Sequence, residues 1–124
     1  MEVNGYKIKP RAILTCADFT NADLTEANLT EANLEGASLN RANLSGATLN
    51  RANMTGSYLI LADLKNAKLH SADLHGANLT GANLTGADQT GADLTGANLK
   101  DVYLNGADPP SKHSFWAYDT YQNR

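Results

Sequence analysis

Few side chains in this chain are equipped for chemistry. There are three histidines, His70, His75 and His113, and one cysteine, Cys16. His70 and His75 stand five residues apart, but two imidazoles supply two ligands where a zinc site takes three or four. No further Cys, His or carboxylate joins them at ligand spacing. A single thiol excludes a disulfide framework and a cysteine-rich metal centre. No Ser–His–Asp arrangement, HExxH helix or phosphate loop is written anywhere. Asp63, Asp73 and Asp93 recur at a fixed place in a pattern, as surface carboxylates do, and are not paired as acid and base. These residues predict a protein that is not an enzyme, with no cofactor and no metal.

Composition points elsewhere. Of 124 residues, 42% are hydrophobic and only 6% aromatic. Leu, Ile, Val and Phe together are 24 residues, about one fifth, a proportion at which chains tend to be disordered unless their order compensates. The net charge of −3 is small, and the pI near 5.5 argues against a general nucleic-acid binder. No apolar run is long enough to span a membrane. Met1 to Pro10 lacks a signal-peptide stretch, so a cytoplasmic protein is expected.

The order is a repeat. From Ala12 to Gly106 the chain divides into nineteen gapless pentads. The first position is Ala in 17, the exceptions being Ser57 and Val102. The third is Leu in 16, with Phe19, Met54 and Gln89 as exceptions. The second is Asn or Asp in 13, and the fifth is Gly in nine. On an α-helix five residues advance about 500°, so the leucines would form no stripe. On a straight strand an odd period would send them to alternate faces. A chain that turns by a fixed angle in every pentad places all of them inside. That is a solenoid, with Ala and Leu inward, three positions outward, and Asn, Asp and Gly at the corners.

Runs such as Ala77-Asn78-Leu79-Thr80-Gly81 and Ala92-Asp93-Leu94-Thr95-Gly96 resemble the pentapeptide-repeat family, most of all its cyanobacterial members. The resemblance implies an all-β fold, a right-handed quadrilateral β-helix with four pentads per coil. Nineteen pentads would then make about five coils. Residues twenty apart become stacked neighbours, which places Glu31 beside Arg51 and Lys68 beside Asp88.

Outside the repeat, residues 1–11 are expected to form an N-terminal cap, with Asn4-Gly5 as a turn and Val3 and Ile8 covering the Leu14 end. Residues 107–124 hold Pro109-Pro110 and the aromatics Phe115, Trp116, Tyr118 and Tyr121. This tail reads either as a C-terminal cap or as an interface, including one between two copies of the chain. Within the repeat, Tyr58, Ile60 and Leu61 replace outward polar positions in a single pentad and outline a small contact site. Gln89 places an amide in the inner column, where it must find partners in backbone or water.

The function expected is therefore a structural or protein-interaction module whose flat faces meet a protein partner. Membrane binding is not expected. The alternative is a DNA mimic acting on a DNA-binding enzyme such as gyrase, as some family members are. Mimicry needs a continuous negative surface, and residues 12–106 carry ten acids interrupted by five bases. Ice binding would need unbroken threonine rows, and the row Thr15, Glu35, Thr55, His75, Thr95 is broken.

Overall fold

The computed structural model describes residues 1–108, and among these the backbone consists of strands, isolated bridges and turns, without helix. Every second-position residue from Ile13 to Asp88 forms a parallel bridge with the residue twenty further on, from Ile13–Asn33 to Asp88–Asp108. One coil is thus four pentads, and each pentad is one side.

The coil is held by a repeating set of hydrogen bonds in which four of the five amides of a regular pentad find backbone carbonyls. The third-position amide donates forward to the next coil's second-position carbonyl, as Leu34 does to Asn53 at 2.7 Å. The fifth-position amide donates forward to the fourth-position carbonyl, as Gly36 does to Thr55 at 3.0 Å. The second-position amide donates back, as Asn33 does to Ala12 at 2.9 Å, and the first-position amide closes the turn, as Ala37 does to Leu34 at 3.0 Å. The fourth-position amide has no carbonyl to meet. It donates instead to the side-chain Oδ1 of the Asn or Asp two residues earlier, as in Thr55 to Asn53 at 3.1 Å and Lys65 to Asp63 at 3.0 Å.

All thirteen second-position Asn and Asp residues accept this bond. They therefore stand on the sides of the coil, at the bridges, and not at its corners as expected from turn propensity. The corners belong to the fifth position, where φ is positive in every pentad, for Gly (Gly36, 66°) and for other residues (Glu31, 59°). A positive φ there, closed by the i→i+3 bond, is the pattern of a type II turn, and it explains the nine glycines.

Ala and Leu point inward. The leucines from Leu24 to Leu69 are fully buried, and Phe19 and Met54 fill the same column. Small Ala side chains let the walls approach, so the leucines alone occupy the axis. The N-terminal residues form a hairpin of β1 (Glu2–Val3) and β2 (Tyr6–Lys7). Asn4 and Gly5 both have positive φ, as a type I′ turn requires. Ile8 is buried, Val3 packs on the core, and the Tyr6 ring lies 5.1 Å from that of Phe19.

Two polar side chains interrupt the core. Gln89 is fully buried; its Nε2 donates to the Asp108 carbonyl at 3.3 Å, while Oε1 has no partner. Ser57 Oγ is likewise buried without one. A buried orphan acceptor costs on the order of 1–3 kcal/mol. Replacing Gln89 by Leu, which completes the column, is therefore expected to leave the melting temperature unchanged or raise it. A clear fall would show that the amide holds the end of the coil together.

The accepting carboxylates also set a pH dependence. The Thr20 hydroxyl and amide hold the Asp18 carboxyl below the ordinary 3.8, and Thr25 does the same for Asp23. Asp88 is lowered mainly by Thr90, with a smaller contribution from His70. A carboxylate whose folded pKa is depressed stabilises the fold above its unfolded pKa, and that stability is lost as pH falls through the folded value. Melting temperature should thus decline below about pH 4. In Asp18→Asn, Asp23→Asn, Asp88→Asn, which keeps each acceptor but removes its charge, the decline should be shallower. Thermal melts between pH 7 and pH 2 test this.

Candidate functional site

Six pentads lack Asn or Asp at the second position, and there the fourth amide needs another acceptor. Two of them obtain it from the coil before. The Ile60 amide donates to Asn40 Oδ1 at 2.9 Å, and the His70 amide donates to Asn50 Oδ1 at 3.0 Å. In both cases an Asn stands at the fourth position twenty residues earlier. It releases the second position from its structural duty, so that this position can be Tyr58 in one pentad and Lys68 in the other.

The released pentad 57–61 is the apolar one. Tyr58 is 50% exposed, Leu61 51% exposed, and Ile60 half-buried. Tyr58 bridges Ser38 on one side and Asn78 on the other, so polar residues border it along the axis. The Ile60 carbonyl accepts from Arg41, and the Leu61 amide donates to the Thr80 carbonyl. Leu61 lies over Gly81: a Cβ there would stand 2.7 Å from Leu61 Cδ2. Glycine at position 81 is thus the seat of the leucine as well as a corner with φ of 70°. The spot is flat, made of one tyrosine and two aliphatic side chains on a rigid wall.

The structure brings Tyr58, Ile60 and Leu61 together. Phe115, Trp116, Tyr118 and Tyr121 lie outside the described residues. Elsewhere in the repeat, on other sides of the coil, Ile13 (81%), which sequence reasoning did not single out, and Tyr103 (62%) are also exposed. Ile13 was detectable, because the second position always faces out. The roles of Asn40 and Asn50 were also missed. The signal for them was an Asn at the fourth position twenty residues before a pentad without Asn or Asp.

Charges are distributed unevenly over the sides. Glu35, Asp73 and Asp93 share one side, and Asp23, Glu26 and Asp63 with Lys65 share the opposite one. On the side of Tyr58, Asp18 and Asp101 are balanced by Arg41 and Lys100. On the remaining side Glu31 lies between Arg11 and Arg51, at 4.0 and 3.7 Å, in exposed pairs worth a few tenths of a kcal/mol. His70 and His75 are on adjacent sides, and among the described residues no group of His, Cys, Asp or Glu is arranged to hold a metal ion. No helix among them is long and apolar enough to cross a membrane.

The twenty-residue coil and its pentads match the family model for pentapeptide repeats over residues 11–41, 37–76 and 72–108. The chain belongs to the pentapeptide-repeat family. Members of this family fold as right-handed quadrilateral β-helices and act in general as structural or interaction modules rather than enzymes. Among solved structures, the chain is similar to the pentapeptide repeat protein Rfr23 from the cyanobacterium Cyanothece 51142, at 42% identity and TM-score 0.71 over 74% of this chain. A pentapeptide repeat protein of the Arabidopsis thaliana thylakoid lumen is 38% identical, with TM-score 0.70 over 72% of this chain. The chain spans 62% of the length of each of these two. QnrB1, a plasmid-mediated fluoroquinolone resistance protein, shares the fold at TM-score 0.72 but is only 20% identical, over 79% of this chain and 51% of its own. Comparison with the curated proteins finds no match.

The relay from Asn40 makes a reciprocal prediction. Asn40→Ala should lower stability by about 1 kcal/mol, since it strands the part-buried Ile60 amide. Adding Tyr58→Asn supplies an acceptor within the pentad and should restore most of the loss. Chemical denaturation of the single and double variants measures both. If the double variant is no more stable than the single one, the relay is not what stabilises this amide.

Proposed function

We propose that this chain is a non-enzymatic interaction module that presents a flat β-helix side to a protein partner, with Tyr58, Ile60 and Leu61 as the contact. The observation that carries this reading is the release of pentad 57–61 by Asn40. The repeat departs from its own rule at this pentad, compensates the backbone from the neighbouring coil, and places exposed apolar groups there. Tyrosine with flanking aliphatics inside a polar border is the usual make-up of an interface centre. Residues 12–106 form the solenoid of nearly five coils and residues 1–11 close its N-terminal end; the cap or second contact expected of the aromatic tail 107–124 falls on residues outside the described ones. The setting proposed is cytoplasmic.

A DNA-mimic role is the weaker reading. The excess negative charge is divided between two opposite sides, while the other two sides carry balanced charge, so no continuous negative surface winds around the coil. The axis is filled by buried Leu and Ala, which favours recognition on the outside over a ligand held within.

The test is a cross-linking pull-down from cells of the source with three baits: wild type; Tyr58→Ser, Ile60→Thr, Leu61→Asn; and Phe115→Ser, Trp116→Ser. The first variant is expected to lose partners that wild type retains while keeping its melting temperature. Identical partner sets for all three baits would remove both contact sites.

A further inference from the structure

The side that carries Tyr58 is arranged symmetrically about it. Tyr58 and Ile60 lie at the middle of the repeat, which runs from residue 12 to residue 106. One coil away on either side the second and fourth positions are neutral and polar, Ser38 and Asn40 before and Asn78 and Thr80 after. Two coils away the second and fourth positions differ in charge, with Asp18 and Thr20 at one end and Asn98 and Lys100 at the other. Along the second and fourth positions the order is therefore acidic, polar, apolar, polar, basic, while the fifth positions add Arg41 one coil before Tyr58 and Asp101 beside Lys100.

We propose that the occupant of this side is a second copy of the same chain, packed side to side and antiparallel about Tyr58; this rests on the reading of pentad 57–61 as a docking surface. A two-fold axis in the plane of contact and perpendicular to the coil axis sets Tyr58 against Tyr58 and Ile60 against Ile60. It brings Ser38 and Asn40 to the level of Asn78 and Thr80. Asp18 of one copy then comes level with Lys100 of the other, and Asp101 comes against the neutral Asn21, twice over. At the corner, Arg41 comes level with Gly81, which has no side chain to obstruct it. A parallel pair would instead place Asp18 level with Asp18 and Lys100 level with Lys100. The arrangement is isologous, as a two-fold contact must be, and its charges select one of the two orientations.

The contact is small. A side of five coils at about 4.8 Å spacing is about 20 Å long, well below the area of a standard interface. The pairing is therefore weak, concentration-dependent and salt-sensitive, with a Kd near the top of the micromolar range.

Sedimentation velocity of the full chain, from about 20 μM to about 1 mM at low salt, tests it. Wild type is expected to associate as concentration rises, and Tyr58→Ser, Ile60→Thr to remain monomeric. Thr20→Lys faces Lys100 of the second copy and keeps the Thr20 amide bond to Asp18, because that bond uses backbone. It should weaken association several-fold at low salt, and Thr20→Lys, Lys100→Glu should restore it. The single exposed Cys16 reports orientation. A spin label there is separated from its mate by about four coil levels, near 20 Å along the axis, in the antiparallel pair, and by none in a parallel one.

Three results would overturn the proposal: a monomer at every concentration, association that survives in Tyr58→Ser, Ile60→Thr (which would point to the tail), or labels at one level. A monomeric wild type whose Tyr58 variant nevertheless loses a partner in the pull-down would end the self-pairing and leave the interaction-module reading intact.

Discussion

The structure depends on one backbone amide. When a chain turns a corner every five residues, parallel coils pair through only a short stretch of each side. The carbonyls of neighbouring coils and of the turn satisfy the amides at positions one, two, three and five. The fourth amide points where no carbonyl is available, and an unpaired amide repeated at every side would cost more than so thin a core can offset. The Asn or Asp two residues earlier supplies the missing acceptor. That side chain is short enough to reach, and it is acceptor-only when ionised, as in Asp63, or presents its carbonyl oxygen, as in Asn53.

The thin core follows from the same geometry. Corners five residues apart leave room on the axis for one large side chain per pentad, so the first position is Ala and the third Leu. Where another residue takes the inner column, its shape still fits the shaft, as with Phe19 and Met54. Gln89 fits in volume but not in polarity, and its Oε1 remains unpaired. Such an interior is filled by its own wall, and recognition is left to the surface.

On that surface the rule about the fourth amide separates structural residues from free ones. Most outward Asn, Asp and Thr residues are committed to the turn, and their regularity says nothing about a partner. Tyr58, Ile60 and Leu61 are free because Asn40 takes over the backbone bond. Lys68 and His70 are free through Asn50 by the same route, on the opposite side. Departures from a repeat become informative when the compensation that permits them is visible.

Much of this was legible beforehand. The five-residue period excluded helix and straight strand, divided inward from outward positions, and marked Tyr58, Ile60 and Leu61 as out of place. Leu14 to Leu104 read as one buried column because position in the pentad, rather than neighbourhood, decides burial. The bonds between coils were not legible. They join residues nineteen to twenty-one apart, and a single pentad carries no trace of them. Asn and Asp were therefore assigned to corners on turn propensity, although the corners belong to the fifth position and the amides to the second. The dependence of Ile60 on Asn40, the seat of Leu61 on Gly81 and the division of the excess negative charge between opposite sides required the coil itself. The sequence by itself determined what faces in, because a local period is enough for that. Only the tertiary structure decided which outward residues are bound to the backbone and which are free, because stacking sets the partner of each amide.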